Sequence, residues 1–297
     1  MPTYPVTSAA DPRIEPYRDM KDRELARRGG LFVAEGEHVV RRLLASDFPV
    51  HSLLLSDRRA GAIAPLASPQ TPVYVAPEAL MHGILGFKFH SGVIACGVRK
   101  PVPQLEQVLG PPLIGAADGA AARFSADDEP RLNNNMQTRA MTLLICPDII
   151  NTQNMGAIIR IAAAFGVTAL ILGERCCDPF WRQAVRVSMG AAFTVPMVRS
   201  ADLALDLRRL RQLWGVELIA TVLDDGAEHL DQARRPAAPK PDRIGLLLGS
   251  EAHGLDSVAT AACDRRVTIP MKLGTDSLNV AVAAGIFLYH FCQEGEE

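Results

Sequence analysis

Short apolar runs recur along most of this chain, separated by longer stretches that mix apolar and charged residues. Runs of this length, bounded by turn residues, are typical of buried strands, and the mixed stretches between them predict helices. The predicted strands lie at residues 31–34, 50–55, 73–75, 91–97, 142–146, 169–172, 194–198, 217–222, 244–248 and 266–269. Near-continuous apolar strands that alternate with helices predict an α/β fold, with a largely parallel sheet covered on both faces in the second half of the chain.

One stretch interrupts this pattern and predicts a division into domains. Residues 101–140 are rich in proline, glycine and alanine and contain the run Asn133-Asn-Asn135, a composition typical of a linker or an insertion. We therefore expect a small α/β domain at 15–100 and a second domain at 141–297. A length of 297 residues fits two domains. Residues 1–14 are rich in proline and lack an apolar core, so we expect a disordered tail there.

Composition excludes several classes of protein. The chain is 48% hydrophobic and 22% charged, which is ordinary for a soluble globular protein. The longest apolar run, 280–292, is too short to cross a membrane and contains Tyr289 and His290. The six cysteines form no Cys-x-x-Cys pair, so we expect reduced thiols, a cytoplasmic protein and no metal. A net charge of −2 does not indicate nucleic-acid binding, although a local basic patch would suffice.

The first of three candidate loops follows the predicted strand at 142–146. Asn154 fits the N-cap of the next helix, and Arg160 lies almost two turns further on, among apolar residues. We expect Arg160 to be partly enclosed, which requires an anionic or hydrogen-bonding partner. The alternative is an ion pair within the chain.

The other two loops also follow apolar strands. After 244–248 come Gly249, Ser250 and Glu251, whose backbone groups are free to bind a ligand; the alternative is that Glu251 merely caps a helix starting near residue 254. The sequence there is neither a dinucleotide-binding fingerprint nor a Walker A loop. After 266–269, Ser277 and Asn279 precede a very apolar helix. Either Asp276 or Ser277 caps that helix, or a ligand binds these polar groups.

Together the three segments resemble the signature motifs of the SpoU family of RNA ribose methyltransferases, within the SPOUT superfamily. The first motif is Asn154-x-Gly156-x-x-x-Arg160, the second Leu248-Gly249-Ser250-Glu251, and the third Ile269-Pro270-Met271 with Ser277-Leu278-Asn279. Ser250 departs from the asparagine found in many members but keeps the ability to hydrogen-bond. In the first domain, Glu35-Gly-Glu-His38 resembles the family's substrate-binding domain, which is similar in fold to ribosomal protein L30e.

The resemblance implies a fold and an assembly that periodicity does not show. The second domain would be a trefoil-knotted SPOUT methyltransferase domain with a parallel sheet, although knots are rare. The protein would be a homodimer. The final helix carries a face of mostly small residues, Ala281, Ala284, Gly285 and Leu288, which suits either a dimer interface or packing within the subunit.

The resemblance also implies a reaction: transfer of a methyl group from S-adenosylmethionine to a ribose 2′-hydroxyl of rRNA or tRNA. Arg160 would stabilise the alkoxide, Asn154 would orient Arg160, and Glu251 would hold Arg160 or the substrate. Ser277 and Asn279 would fix the loop and the ribose. The expected cofactor-binding residues are Thr221, Leu248, Gly249, Ile269, Met271, Ser277 and Leu278.

RNA contacts are expected from basic residues in both domains. These are Lys21, Arg23, Arg27, Arg28, Arg182 and Arg186. The first four alternate with acidic residues, so a solvated helix face is their alternative interpretation. For the whole protein, two alternatives remain: an RNA-binding protein of this fold without methyltransferase activity, and an enzyme that methylates a base instead of a ribose.

Overall fold

The computed structural model describes residues 3–18, 22–86, 89–113, 140–224, 226–233 and 243–292, without the side chains of residues 28 and 29. The strands are β1 (Thr3–Pro5), β2 (Leu31–Glu35), β3 (Val50–Ser56), β4 (Val73–Ala76), β5 (Val93–Val98), β6 (Met141–Cys146), β7 (Ala169–Leu172), β8 (Met197–Arg199), β9 (Glu217–Thr221), β10 (Glu228–His229), β11 (Arg243–Leu247) and β12 (Arg265–Thr268). The helices are α1 (Asp22–Gly29), α2 (Glu37–Leu44), α3 (Asp57–Ile63), α4 (Glu78–Leu85), α5 (Leu105–Leu109), α6 (Thr152–Ala164), α7 (Arg182–Val187), α8 (Leu203–Trp214), α9 (Ser257–Ala261) and α10 (Val280–Cys292).

The chain divides into two units that are not contiguous in sequence. Unit 1 comprises 1–101, 152–160 and 178–194, and unit 2 comprises 102–151, 161–177 and 195–297. The first stretch of unit 1 ends close to the predicted boundary. Its two later segments, however, come from the part of the chain that the sequence assigned to the second domain. The predicted division into contiguous domains therefore differs from the units observed.

Unit 1 contains a five-stranded mixed sheet in the order β1-β4-β3-β5-β2. The β1–β4 and β4–β3 pairs are parallel, whereas β5 runs antiparallel to both β3 and β2. The core on one side includes Val33, Leu54, Ile94 and Met81, all fully buried. Tyr17 is also fully buried, and its hydroxyl lies 2.8 Å from that of Ser52, so this buried polar pair is satisfied.

The segment 178–194 packs on β2 within unit 1 through aromatic side chains. Phe32 of β2 has ring centroids 5.2 Å from Phe180 and 5.5 Å from Phe193, and Phe48 contacts the same two rings. Phe32 also lies over Gly97 of the neighbouring strand, where a Cβ atom would clash with its ring at 2.2 Å. Aromatic rings at these separations stabilise the contact beyond the apolar area that they bury.

Unit 2 is built on a seven-stranded sheet in the order β10-β12-β9-β11-β6-β7-β8. Every strand pair in it is parallel, as the continuous apolar runs predicted. Helix α8 covers part of the sheet with a buried face at i, i+4, i+7 and i+11, formed by Leu203, Leu207, Leu210 and Trp214. Asp202 caps this helix by accepting a hydrogen bond from the Leu205 amide at 2.9 Å.

Two sequence predictions about irregular segments are wrong where the structure describes them. In the predicted disordered tail, Thr3–Pro5 pair with β4, and Val6 and Ile14 are buried. In the predicted linker, α5 buries Leu105 and Leu109 in the core of unit 2, and the Gly110 carbonyl accepts a hydrogen bond from Trp214 Nε1 at 3.1 Å. Residues 114–139 of that linker lie outside the described residues.

Candidate active site

The loops that carry the second and third motifs start at one edge of the sheet in unit 2. Strands β9, β11 and β12 are parallel neighbours, so their carboxyl ends lie at the same edge, and β6 follows β11 there. Ligands of open parallel sheets bind beyond this edge, because strand-end backbone groups and loops converge there. The geometry therefore places Thr221, Gly249 and Ile269 at one potential binding edge.

The second-motif loop folds back on itself immediately after β11. Ser250 and Gly254 exchange two backbone hydrogen bonds of 2.8 and 3.1 Å. A Cβ atom at residue 249 would lie 2.7 Å from Gly254 Cα, so only glycine fits this close approach. The Ser250 hydroxyl accepts a hydrogen bond from the His253 amide at 3.2 Å. The serine that departs from the family pattern thus stabilises its own loop.

Glu251 connects this loop to the one that precedes α6. Its Oε1 accepts a hydrogen bond from the Asn151 amide at 3.3 Å, and the side chain is exposed. Asn151 lies directly before α6, whose first turns carry the first motif. Glu251 was predicted from the sequence as a site residue, but Asn151 was not, because it contributes a backbone amide, which any residue other than proline would supply.

The third-motif loop is open to solvent up to the start of α10. Ile269 and Met271 are half-buried, whereas residues 272–279 are exposed. Asn279 Oδ1 accepts hydrogen bonds from the amides of Ala281 at 2.9 Å and Val282 at 3.4 Å. Asn279 is therefore the N-cap of α10, so the alternative in which Asp276 or Ser277 caps this helix is wrong. Ser277 and Asn279 are themselves exposed.

Thr221 lies at the carboxyl end of β9 with its hydroxyl already engaged. Its Oγ1 donates a 2.7 Å hydrogen bond to the Leu247 carbonyl at the end of β11. The following residue, Leu248, is fully buried, and its amide donates to the Ile145 carbonyl at 2.8 Å. Leu278 remains 36% exposed. The predicted cofactor residues near β9 and β11 are thus brought together.

The first motif lies on α6, and two expectations about it are wrong. The helix begins at Thr152, so Asn154 lies in the first turn and is not the N-cap. Arg160 is exposed, not partly enclosed. Within the described residues it forms no ion pair with another side chain, so the alternative interpretation, an ion pair within the chain, is not observed. Its guanidinium is accessible from solvent in the single chain.

Gly156 explains why the first motif contains a glycine. A Cβ atom there would lie 2.6 Å from the Ala184 carbonyl oxygen and 2.7 Å from Val187 Cβ. The first turns of α6 and helix α7 are both in unit 1, and they pack closely at this point. Thr152 Oγ1 supports the contact by donating a 2.7 Å hydrogen bond to Gln183 Oε1.

The predicted RNA-binding arginines fall in unit 1. Arg23 lies over the Trp181 ring at 5.6 Å, and Arg27 is exposed. Arg182 and Arg186 both face the Glu35 carboxylate, a contact that the sequence did not reveal because the residues are far apart in the chain. Lys21 lies outside the described residues, as does the side chain of Arg28.

Buried titratable groups near the sheet edge do not offer reactive nucleophiles. Burial raises the pKa of the Cys146 thiol well above its ordinary value, and burial also raises that of Cys176. The Cys176 thiol donates to the Cys146 carbonyl at 2.9 Å. Among the described residues no cluster of three or more histidine, cysteine or carboxylate side chains could hold a metal ion. No described helix is both long and apolar enough to cross a membrane.

Comparison with known proteins agrees with these features. Residues 141–289 match the SpoU rRNA Methylase family. A Mycobacterium tuberculosis protein named as an uncharacterized tRNA/rRNA methyltransferase is 37% identical over 290 residues, which cover 96% of this chain and 90% of that protein. A 23S rRNA (guanosine-2′-O-)-methyltransferase, RlmB, of Acinetobacter baylyi is 29% identical over 87% of this chain and 96% of its own. The crystal structure of an AdoMet-bound rRNA methyltransferase from Sinorhizobium meliloti has a TM-score of 0.76 at 23% identity, covering 97% of both chains. The family match spans all three predicted motifs.

Proposed function

From the premise that the chain belongs to the SpoU rRNA methylase family, we propose that it transfers the methyl group of S-adenosylmethionine to a ribose 2′-hydroxyl of rRNA or tRNA. The observation that carries the proposal is the match of residues 141–289 to that family, with the second and third motifs on loops at one edge of the parallel sheet. A protein that only bound RNA would have no use for these loops at a cofactor edge. A methyltransferase therefore fits the family match and the loops better than an RNA-binding protein of this fold without methyltransferase activity.

The residues at this edge fit the adenosine part of the cofactor. We assign it to the backbone of Leu248, Gly249, Ile269 and Met271, with Leu278 and Thr221 alongside. The tight turn at Gly249 carries no side chain, and the half-buried apolar side chains at 269 and 271 provide the apolar wall that an adenine ring requires. The bound cofactor supplies a methyl group on a positively charged sulfur, which makes that methyl electrophilic.

Arg160 is the residue we assign to the reacting hydroxyl. A ribose hydroxyl attacks as its proton leaves, and a fixed cation beside it stabilises the negative charge that develops on the oxygen. A guanidinium stays protonated, so Arg160 acts as an electrostatic stabiliser while another group takes the proton. Its exposure on α6 leaves it open to an RNA substrate.

The remaining motif residues order the loops around the substrate. Glu251 holds the loop before α6 by its hydrogen bond from the Asn151 amide. Asn279 fixes the start of α10, and we assign its side-chain amide to the ribose. We assign Ser277 to the same loop. Asn154, in the first turn of α6, supports the orientation of Arg160.

RNA binding is assigned to the basic side chains of unit 1. Arg23, Arg27, Arg182 and Arg186 are the described members of this set, and phosphate contacts from such residues supply affinity without reading sequence. The relative from Acinetobacter baylyi is named for guanosine 2′-O-methylation of 23S rRNA. We therefore place a guanosine of 23S rRNA first among the substrates to test.

The assembly we propose is a homodimer formed through α10. The face of small residues, which suggested α10 as the dimer interface, packs within the subunit instead, because Ala281, Ala284 and Leu288 are buried. The opposite face exposes Val282, Ile286 and Tyr289, spaced at i, i+4 and i+7. An apolar stripe of this kind on a terminal helix is suited to a partner surface.

The finer features implied by the family complete the proposal. The parallel sheet of unit 2, in which β9 lies between β11 and β12, is consistent with a trefoil-knotted domain. The mixed sheet of unit 1 is consistent with an L30e-like substrate-binding domain. The six cysteines are free thiols, which supports a cytoplasmic location.

The experiment that tests the proposed substrate is a map of 2′-O-methyl sites in cellular RNA with and without the gene. We expect one or a few ribose methylations in rRNA or tRNA to disappear from the deletion strain and to return with the wild-type gene. Loss of a base methylation instead would favour the base-methylating alternative. An unchanged map would contradict the proposal.

A further inference from the structure

Helix α7 carries two arginines that share a single acidic partner. Arg182 and Arg186 are four residues apart, so both lie on one face of the helix. Their Nη1 atoms lie 3.4 and 3.6 Å from the two carboxylate oxygens of Glu35, the last residue of β2. Each carboxylate oxygen faces a different arginine, so Glu35 connects the two cations. All three residues belong to unit 1.

The burial of Glu35 makes this arrangement energetically significant. Its side chain is 13% exposed, whereas that of Arg186 is 56% exposed. A carboxylate so little exposed requires compensating positive charge, and two like charges at i and i+4 repel each other when nothing lies between them. Because Glu35 lies between the two arginines, they compensate its charge and it reduces the repulsion between them. The Arg186 guanidinium meanwhile keeps N–H donors on its solvent side, since it carries five.

The backbone of this region is held in place independently of Glu35. The Arg182 amide donates a 3.0 Å hydrogen bond to Asp22 Oδ1, and Arg99 pairs with Asp178 at 2.6 Å. Burial raises the pKa of Asp22, but the bond from the Arg182 amide opposes that rise. Because these contacts fix α7, the role left to Glu35 is to set the direction of the two arginine side chains.

The same helix packs against the first motif. The close approach of α6 and α7 at Gly156 lies four residues before Arg160 on one continuous helix. Helix α7 therefore both carries Arg182 and Arg186 and packs against the first turns of α6.

We propose that Glu35 is a positioning residue for RNA: it holds Arg182 and Arg186 as a preorganised pair that receives the phosphodiester backbone of the substrate. This rests on the proposed function only in taking RNA as the ligand. Two long side chains that are already ordered lose less conformational entropy on binding phosphate, and this gain appears as affinity. Glu35 itself is negatively charged and does not contact the RNA.

The test compares Glu35→Gln with a matched control, Glu37→Gln. Glu37 also pairs with two arginines of unit 1, Arg41 at 2.9 Å and Arg59 at 3.1 Å, but neither lies on α7. The probe is rRNA extracted from cells that lack the gene. We expect Glu35→Gln to raise the RNA Kd and KM about tenfold, as expected for two side chains that lose their order, with kcat and the Kd of S-adenosylmethionine changed less than about twofold. Glu37→Gln should match the wild type in all four.

A double-mutant cycle separates positioning from general destabilisation. Once Arg186→Gln has been made, Glu35→Gln should weaken RNA binding less than it does in the wild type, because one of the two side chains that it positions has been removed. Glu35→Asp, which keeps the charge, should recover part of the affinity and serves as the folded variant where glutamine lowers stability.

Three results would overturn the inference. They are an unchanged RNA Kd in Glu35→Gln, tighter RNA binding in that variant, or effects of the two substitutions that simply multiply. Failure of the proposed reaction gives a different pattern. In that case the wild type transfers no methyl group to any RNA, while the dependence of RNA binding on Glu35 can still be measured by direct titration.

Discussion

At the scale of single residues, Arg160 carries the chemistry that we assign to this protein. Replacing it with alanine should lower kcat about 10²- to 10³-fold, because the developing alkoxide loses its cation. The Kd of S-adenosylmethionine, measured by calorimetry, should stay within about threefold, since we assign the cofactor to loops of unit 2. Arg208→Ala, which removes another exposed arginine from α8, is the control and should keep the full rate. A full rate in Arg160→Ala would contradict its assigned role.

Asn279 raises the question of whether a residue serves as a helix cap, as a binding group, or as both. Asn279→Ala removes the acceptor for two amides and should cost about 1 kcal/mol in the free energy of unfolding. Asn279→Asp keeps an equivalent cap, so urea unfolding should be nearly unchanged. It loses the amide N–H donor, however, so methyl transfer should fall. If the aspartate variant kept full activity, capping alone would explain this residue.

At the scale of elements, strands could be predicted from the sequence better than helix ends. The buried strands of unit 2 are continuous apolar runs, and such runs have few other stable placements. The start of a helix depends on which of several nearby polar side chains accepts hydrogen bonds from the first amides of the helix. Asn154, Asp276 and Ser277 all fit the preference for N-caps, yet α6 starts before Asn154 and α10 uses Asn279. Strand β1 was missed because only its pairing with β4 makes it a strand.

The contact between α6 and α7 gives a prediction about one element resting on another. Gly156→Ala should destabilise the protein by about 1 to 3 kcal/mol, because the added methyl group meets backbone that cannot move aside cheaply. Gly83→Ala, in α4, is the matched control, since nothing lies within 4 Å of its Cβ position. It should stabilise the protein by up to about 1 kcal/mol. Equal unfolding midpoints in urea for the two variants would contradict the close packing of α6 against α7 at residue 156.

At the scale of the whole molecule, the family and the reaction could be predicted, whereas the units could not. Three motifs at strand ends are visible in the sequence because each uses residue types with few alternatives there. The membership of 178–194 in unit 1 depends on long-range contacts, such as those of Phe32 with Phe180 and Phe193. Nothing local marks such pairings. The ion pairs of Glu35 with Arg182 and Arg186 could not be predicted either, because these residues are also far apart in the sequence.

The dimer that we propose gives a prediction at this scale. Ile286→Asp places a charge in the centre of the exposed stripe on α10 and should shift the protein from dimer to monomer in analytical ultracentrifugation. Leu205→Asp is the control, because Leu205 is similarly exposed on α8, outside the stripe. A monomeric wild type, or an Ile286→Asp variant that stays dimeric, would show that the stripe is not the interface.

The most direct test of the central claim is methyl transfer in vitro. The wild type and Arg160→Ala are each incubated with isotopically labelled S-adenosylmethionine and total RNA from cells that lack the gene, and the RNA is then digested to nucleosides and analysed by mass spectrometry. We predict label in a 2′-O-methylated nucleoside with the wild type and almost none with Arg160→Ala. Label in a base, or no labelled nucleoside with the wild type, would contradict the claim that this protein is a ribose methyltransferase.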